Sequence, residues 1–307
     1  MVGPSPMAPF DLADEGAYGT WRAAKLADYP TSARDLMVSV ADSTALGDGE
    51  IAALLARIRK TNMALYRAAP SAEATARLSV SALATRLGLL GMEGNLCADE
   101  DGITPLQVDA RGARGRYIPY TDKPLNWHTD GYYNTADRRL HAMTLHCVRA
   151  APDGGENGLM DPEIAYILLR DENPAFIGAL MHPGAMTIPA NEIEDGDPRP
   201  EMVGPVFDVE ADGTLYMRYS ARKRNIVWRD DPLTIEAVTF LNDVMNSPSP
   251  YIFRHTLAPG EGLISNNVLH MRTGFDDGTG SETKRLILRG RFYERIDKTA
   301  YRDIYAS

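Results

Sequence analysis

The first hundred residues place apolar side chains at helical spacing. In "GDGEIAALLARIRKTNMALYR" (47–67), Ile51, Leu54, Leu55 and Ile58 recur every three or four positions. That pattern lines one face of a helix, and Asp48 stands where an N-cap would. In "SAEATARLSVSALATRLGLLG" (71–91), Ala76, Val80, Leu83, Leu87 and Leu90 form a second stripe, with Ser71 to open it and Gly91 to close it. The stretch 11–100 therefore reads as mainly helical. Residues 1–10, rich in Pro, Gly and Ser, read as a loose arm ahead of one domain over 11–307.

After about residue 105 the period shortens. Strand-type runs appear at 140–148, 214–220, 251–257, 261–270 and 285–293, separated by turns such as "APDGG", "APGEG" and "DDGTG". Two short helices open on Asp-Pro and Asn-Pro (161–171 and 173–181), and a longer one spans 232–246 with Val238, Leu241, Val244 and Met245 on one face. No internal repeat interrupts this order. Short strands with helices packed outside predict a mainly β core over 105–295, an antiparallel sandwich or barrel with helical additions.

Composition narrows the function classes. The 307 residues carry a net charge of −10, which disfavours nucleic acid and anionic lipid as partners. The one basic cluster, "RYSARKR" (218–224), suits an acidic small molecule better than a polyanion. No apolar run reaches membrane-spanning length, and "MVGPSPMAPFDLADEG" (1–16) does not read as a secretory leader, having no basic stretch followed by an apolar run, so a cytoplasmic protein is expected. Cys97 and Cys147 lack zinc-ligand spacing and read as reduced, partly buried thiols.

The stretch "NWHTDGYY" (126–133) carries the candidate chemistry. On a strand, His128 and Asp130 would point the same way, giving an imidazole and a carboxylate together, two of the three ligands of a two-histidine, one-carboxylate metal site. The pair alone is weak evidence, so a third ligand is required. His141, His146 and His182 have no polar signature around them and read as core or surface residues. His255 reads as a hydrogen-bonded sheet residue. His270 ends "SNNVLH" and is followed fifteen residues later by "KRLILRG". There Arg285 and Arg289, four apart on a strand, face one side about 13 Å apart. A guanidinium suits a dicarboxylate better than an ammonium does.

"PYTDKPLNWHTDGYY", "LHCVRAAPDGGENGLMD", "LYMRYSARKR", "LAPGEGLISNNVLHMRTGF" and "KRLILRGRFY" occur in this order over roughly 50–295. In order and spacing they resemble the Fe(II)/2-oxoglutarate dioxygenases of the taurine dioxygenase superfamily, and most closely its gamma-butyrobetaine hydroxylase branch. The resemblance implies a double-stranded β-helix (jelly-roll) core, Fe(II) on His128, Asp130 and His270, and the distal carboxylate of 2-oxoglutarate on Arg285. Asn157 stands where many relatives bind 2-oxoglutarate through threonine. Asn266, in "SNN", lies one residue closer to the histidine than the family's usual aspartate–asparagine pair.

By that resemblance, O2 and 2-oxoglutarate are consumed, succinate and CO2 are released, and a small molecule is hydroxylated. An intact Asp130 argues against the halogenating relatives. The same centre performing desaturation or C–N, C–S or C–P cleavage is the rival among enzymes, and a metal-free jelly-roll binding protein the rival outside them. Substrate contacts are expected from loops at 68–125 and 183–212, with Tyr132 and Tyr133 beside the iron. An aromatic cage there would favour an ammonium compound, and Arg289 or a residue of "RYSARKR" would take an acid at its far end. A small organic acid or zwitterion is the expected partner, with no nucleic acid and no membrane; a homo-oligomer, dimer or higher, is compatible with this reading.

Overall fold

The computed structural model describes residues 9–94, 99–109, 113–191, 199–222, 224, 226–278, 280 and 284–305. Cys97 and residues 1–8 of the expected arm lie outside the described residues. Phe10, at the arm's end, is not loose: it is buried edge-on against Trp21 (5.0 Å) and Tyr166 (5.3 Å).

The strand Leu286–Phe292 shows how the sequence builds the core. Alternate residues leave opposite faces of a strand. Ile287 packs inward with Met143, Leu145, Cys147 and Leu263. Leu286 and Leu288 face outward against Ala76 and Val80 of the helix Glu73–Arg86. This strand belongs to a six-stranded sheet in the spatial order Met37–Ser39, Met63–Arg67, Glu261–Ser265, Ala142–Arg149, Leu286–Phe292, Thr104–Leu106. Only the Met37–Ser39 pairing within it is parallel.

A four-stranded antiparallel sheet faces it, in the order Phe253–His255, Asn157–Met160, Leu269–Arg272, Leu125–His128. Leu159 and Phe253 of this sheet share one apolar core with Leu65, Leu145, Leu263 and Ile287 of the first. Two facing antiparallel sheets are consistent with a jelly roll, although their hydrogen bonds stay within each sheet rather than closing one cylinder. Helices cover the outer faces. Asp48–Thr61 packs on the large sheet through Ile51, Leu54 and Ile58, while Pro162–Glu172, Pro174–Leu180 and Pro232–Asn246 fill a second core with Phe10 and Trp21. The result is a mixed α/β structure rather than a mainly β one. Among the described residues no helix is long and apolar enough to cross a membrane.

Several boundaries differ from the sequence reading. The first expected helix stops at Thr61, because Asn62 takes a left-handed conformation (φ 58°) and "MALYR" is drawn into the sheet between two strands. Its N-cap is Gly47, with Glu50 accepting the Gly47 N–H at 2.8 Å; Asp48 is already helical and pairs with Arg86. The second helix starts after Ala72 and ends at Arg86, where Gly88 turns at φ +79°, so Leu90 stands 74% exposed. The run 261–270 is two strands. Asn267 (φ 50°) breaks it and carries the chain from the large sheet to the small one.

Candidate active site

His128 and His270 are register partners on neighbouring antiparallel strands, which sets their rings side by side with centroids 4.1 Å apart. Each Nδ1 lies against a backbone carbonyl, Asn126 O at 2.8 Å for His128 and Val268 O at 2.9 Å for His270. A carbonyl can only accept, so each Nδ1 carries a proton, and in the neutral ring this tautomer leaves the Nε2 lone pair available to a metal. Burial pushes His270 down to about 3, which keeps its ring neutral.

Asp130 reaches the same point by a different route from the one expected. The strand ends at His128, and Asp130 lies on the turn that follows, with Gly131 at φ +68°. A side chain at Gly131 would meet Leu140 at 2.7 Å as well as being strained. The peptide of Asp130 is clasped by Asn267: Oδ1 accepts the Asp130 N–H at 2.8 Å, and Nδ2 donates to the Asp130 and Leu140 carbonyls at 2.9 and 2.8 Å. Asp130 Oδ1 lies 3.6 Å from His128 Nε2 and 3.5 Å from Arg289 Nη1, and Oδ2 is buried without a hydrogen-bond partner. Burial alone would raise this carboxyl, but Arg289 and the flanking histidines outweigh it and hold Asp130 well below the usual range.

One ligand atom from each of His128, Asp130 and His270 lies within 4.8 Å of the others, and all three residues are buried. Two imidazole lone pairs and an orphaned carboxylate oxygen fit a divalent transition metal.

Arg285, just ahead of the last strand, is buried with its guanidinium 4.9 Å over the Phe275 ring. Arg272 lies 4.6 Å over the same ring, donating to the Thr121 and Lys123 carbonyls. Among the described residues neither has a carboxylate within ion-pair distance; Asp277 accepts the backbone N–H of Arg285 instead. Burial and the adjacent Arg285 charge draw Arg272 down to about 9, and burial draws Arg285 to about 10. Two buried cations against one ring without a counter-ion fit a bound carboxylate. Asn157 is the register partner of Arg272, and its amide donates to the His255 carbonyl at 3.3 Å.

Arg289, expected from the sequence to meet the substrate, lies against Asp130. Arg291 extends the same inward series and was missed. It pairs with the buried Glu93 and donates to Tyr133 Oη at 3.0 Å. The period-2 pattern could have found Arg291, but nothing local marks Glu93. Tyr132 stands edge-on to His128 (6.4 Å) and to Tyr133 (5.2 Å). Asn266, given a weakened role from sequence, ties Asn62 to Thr299 instead.

The other histidines stay outside the cluster. His141 meets Glu210 at 2.7 Å, His146 the Tyr66 hydroxyl at 2.9 Å, His182 the Gly184 N–H, and His255 meets Glu261 at 2.8 Å. Cys147 is a buried free thiol that burial pushes up to about 12. The basic stretch is laced along the strand that carries His128. Thr129 N donates to Tyr219 O at 3.0 Å, Ala221 N to Trp127 O at 2.8 Å, and Ser220 bridges His128.

The model of the taurine catabolism dioxygenase TauD, TfdA family matches residues 25–290. A curated relative, a uridine-5'-phosphate dioxygenase from Amycolatopsis sp, is 29% identical over 178 residues. The match spans 55% of this chain and 60% of the relative, so the chain covers less than two thirds of that protein's length. Among solved structures, the non-heme iron oxygenase OrfP with Fe and alpha-ketoglutaric acid superposes with a TM-score of 0.58 at 17% identity, covering 94% of this chain and 91% of that one. An asparagine oxygenase with Fe(II), 3-hydroxyasparagine and succinate gives 0.54 at 18% identity, covering 78% and 77%. PvcB from Pseudomonas aeruginosa gives 0.56 at 15% identity, covering 84% and 85%. At these identities the likeness concerns the fold.

Proposed function

The chain belongs to the TauD, TfdA family, and from that premise we propose that it is an Fe(II)- and 2-oxoglutarate-dependent oxygenase that hydroxylates a small anion-bearing molecule. The observation that carries this reading is the buried trio of His128, Asp130 and His270, with both Nε2 atoms free and Asp130 Oδ2 unpartnered. These residues hold the iron; Arg285, with Arg272 and Asn157 beside it, holds the distal carboxylate of 2-oxoglutarate. Once bound, the metal, the cosubstrate and O2 supply the oxidising power, with succinate and CO2 as coproducts.

The protein's own part is positioning. The Asn126 and Val268 carbonyls fix the imidazole tautomers, Asn267 fixes the turn that carries Asp130, and Arg289 keeps that carboxylate ionised. Burial of the trio excludes water from where the substrate is oxidised.

The likeness to the gamma-butyrobetaine hydroxylase branch favours an ammonium group against Tyr132 and Tyr133. Arg199 already lies 5.4 Å over the Tyr133 ring, and a second cation there would be repelled. The relative that is a uridine-5'-phosphate dioxygenase favours an anion, as does the basic stretch along the strand that carries His128.

The test is a panel of organic acids, nucleoside phosphates, amino acids and betaines, assayed for substrate-dependent succinate with the Fe(II)-loaded protein. Anionic compounds should drive turnover, and the mass of the product separates hydroxylation from desaturation or bond cleavage. A protein that binds no iron and forms no succinate with any compound would refute the oxygenase reading.

A further inference from the structure

The arginines around the site divide by what they touch. Arg289 faces Asp130 and Arg291 faces Glu93 and Tyr133. Arg218 of the basic stretch is buried and donates to five carbonyls, those of Tyr132, Met186, Met202, Gly204 and Pro205. Arg289 and Arg291 are thus neutralised by carboxylates, although the Nε of each finds no hydrogen-bond partner, and Arg218 spends all three of its nitrogens on carbonyls. Arg199 and Arg222 are neither neutralised nor used up in this way.

Arg199 donates to the Pro189 carbonyl at 3.0 Å and covers the Tyr133 ring. Among the described residues no carboxylate lies within ion-pair distance of it or of Arg222. The two guanidiniums are close enough to repel each other, and both lie within electrostatic reach of Tyr132. Both are half-buried. They come from different parts of the chain, Arg199 from the segment before the strand Met202–Gly204 and Arg222 from the basic stretch alongside His128. Ring contacts connect Arg199 to the metal trio without a break: His128 to Tyr132, Tyr132 to Tyr133, Tyr133 to Arg199; Arg222 stands two residues beyond Ser220, the bridge partner of His128.

Two like charges held together in a half-buried place destabilise the fold unless something anionic joins them. A monocarboxylate would neutralise one of them. A phosphate monoester carries nearly two charges at neutral pH and three acceptor oxygens, matching two guanidinium forks.

We propose that Arg199 and Arg222, with the Tyr132–Tyr133 pair between them and the metal trio, form the substrate's anion site and select a phosphate monoester. This rests on the oxygenase reading above and names the substrate class for that same site. The phosphate is held at the far side of the tyrosines, and the carbon to be oxidised extends past them toward His128 and Asp130. The site shares no residue with the Arg285–Arg272 pair on Phe275, so cosubstrate and substrate anions are expected not to compete.

The experiment is calorimetric titration of the anaerobic Fe(II)–2-oxoglutarate protein, with cosubstrate saturating, using inorganic phosphate, acetate, uridine-5'-phosphate and uridine. Phosphate should bind and acetate should not, and uridine-5'-phosphate should bind at least about tenfold tighter than uridine. Arg199→Gln and Arg222→Gln should each weaken phosphate binding by about tenfold or more, with the Lys versions intermediate. Arg224→Gln, an exposed neighbour, should leave it unchanged. The charge-transfer band of iron-bound 2-oxoglutarate, recorded on every variant, reports the oxygenase reading independently. With the band intact, equal affinity for phosphate and acetate, or glutamine variants that bind phosphate as wild type does, would overturn the assignment. Phosphate that erases the band would place the anion at Arg285 and overturn it too.

Discussion

Asn267 and Asn266 are adjacent, buried and chemically identical, yet they do different work. Asn267 holds the peptide of Asp130 through hydrogen bonds in both directions, whereas Asn266 ties together Asn62, Ile296 and Thr299. Asn267→Ala should therefore lower Fe(II) affinity about 10–100-fold, as losses around a metal ligand do. Asn266→Ala should cost about 1–3 kcal/mol of stability, as an unpaired buried group does, and leave iron affinity near wild type. Fe(II) titration beside urea melts of both variants separates the two roles; equal loss of iron would contradict them. The arginine pair on Phe275 gives a second test. Arg285→Met should raise the apparent constant for 2-oxoglutarate by an amount worth about 2–5 kcal/mol while iron still binds. An unchanged constant would remove Arg285 from the cosubstrate site.

At the scale of elements, the last strand divides its labour by face. Arg285, Ile287, Arg289 and Arg291 face inward toward chemistry and core, while Leu286 and Leu288 hold the sheet to the helix Glu73–Arg86. Leu288→Ala should lower stability by about 2–5 kcal/mol through the cavity it leaves, with 2-oxoglutarate binding preserved. Denaturation midpoints and the charge-transfer titration check both halves. This strand was legible in the sequence because its period-2 pattern is unbroken. The "NWHTDGYY" stretch was legible in content but not in form. His and Asp two apart would converge on a strand, yet here the strand stops at His128 and a glycine turn delivers Asp130. The "SNN" corner was hidden for a related reason, since one left-handed asparagine splits a run that reads as a single strand. Glu93 and Arg199 come from segments with no local motif, and only the fold brings them to the site.

Across the whole molecule, His128, Asp130 and His270 lie buried at the two facing sheets while the helices outside take the remaining apolar surface. The opposing pair of His128 and His270 depends on a register between strands more than 130 residues apart, a relation that no local pattern encodes. The family motifs revealed it because they carry that register as residue order. Buried neutral histidine also ties the fold to pH. Burial pushes His146 down to about 4, below the ordinary value of 6.5. The unfolded chain therefore binds its proton first, so this contribution is complete above about pH 6.5 and is lost as pH falls toward 4, amounting to about 3 kcal/mol at most. His146→Gln should flatten the decline of the urea midpoint over that range; a wild-type slope in the variant would contradict it.

The most direct measurement is anaerobic titration of Fe(II) and 2-oxoglutarate into wild type, His270→Ala and His255→Ala, followed by the metal-to-ligand charge-transfer band. His270 stands in the trio, whereas His255, on the same small sheet, is paired with Glu261 of the large one. Wild type and His255→Ala should develop the band with similar affinity, and His270→Ala should not. A band that survives loss of His270 and disappears with His255 would contradict the site described.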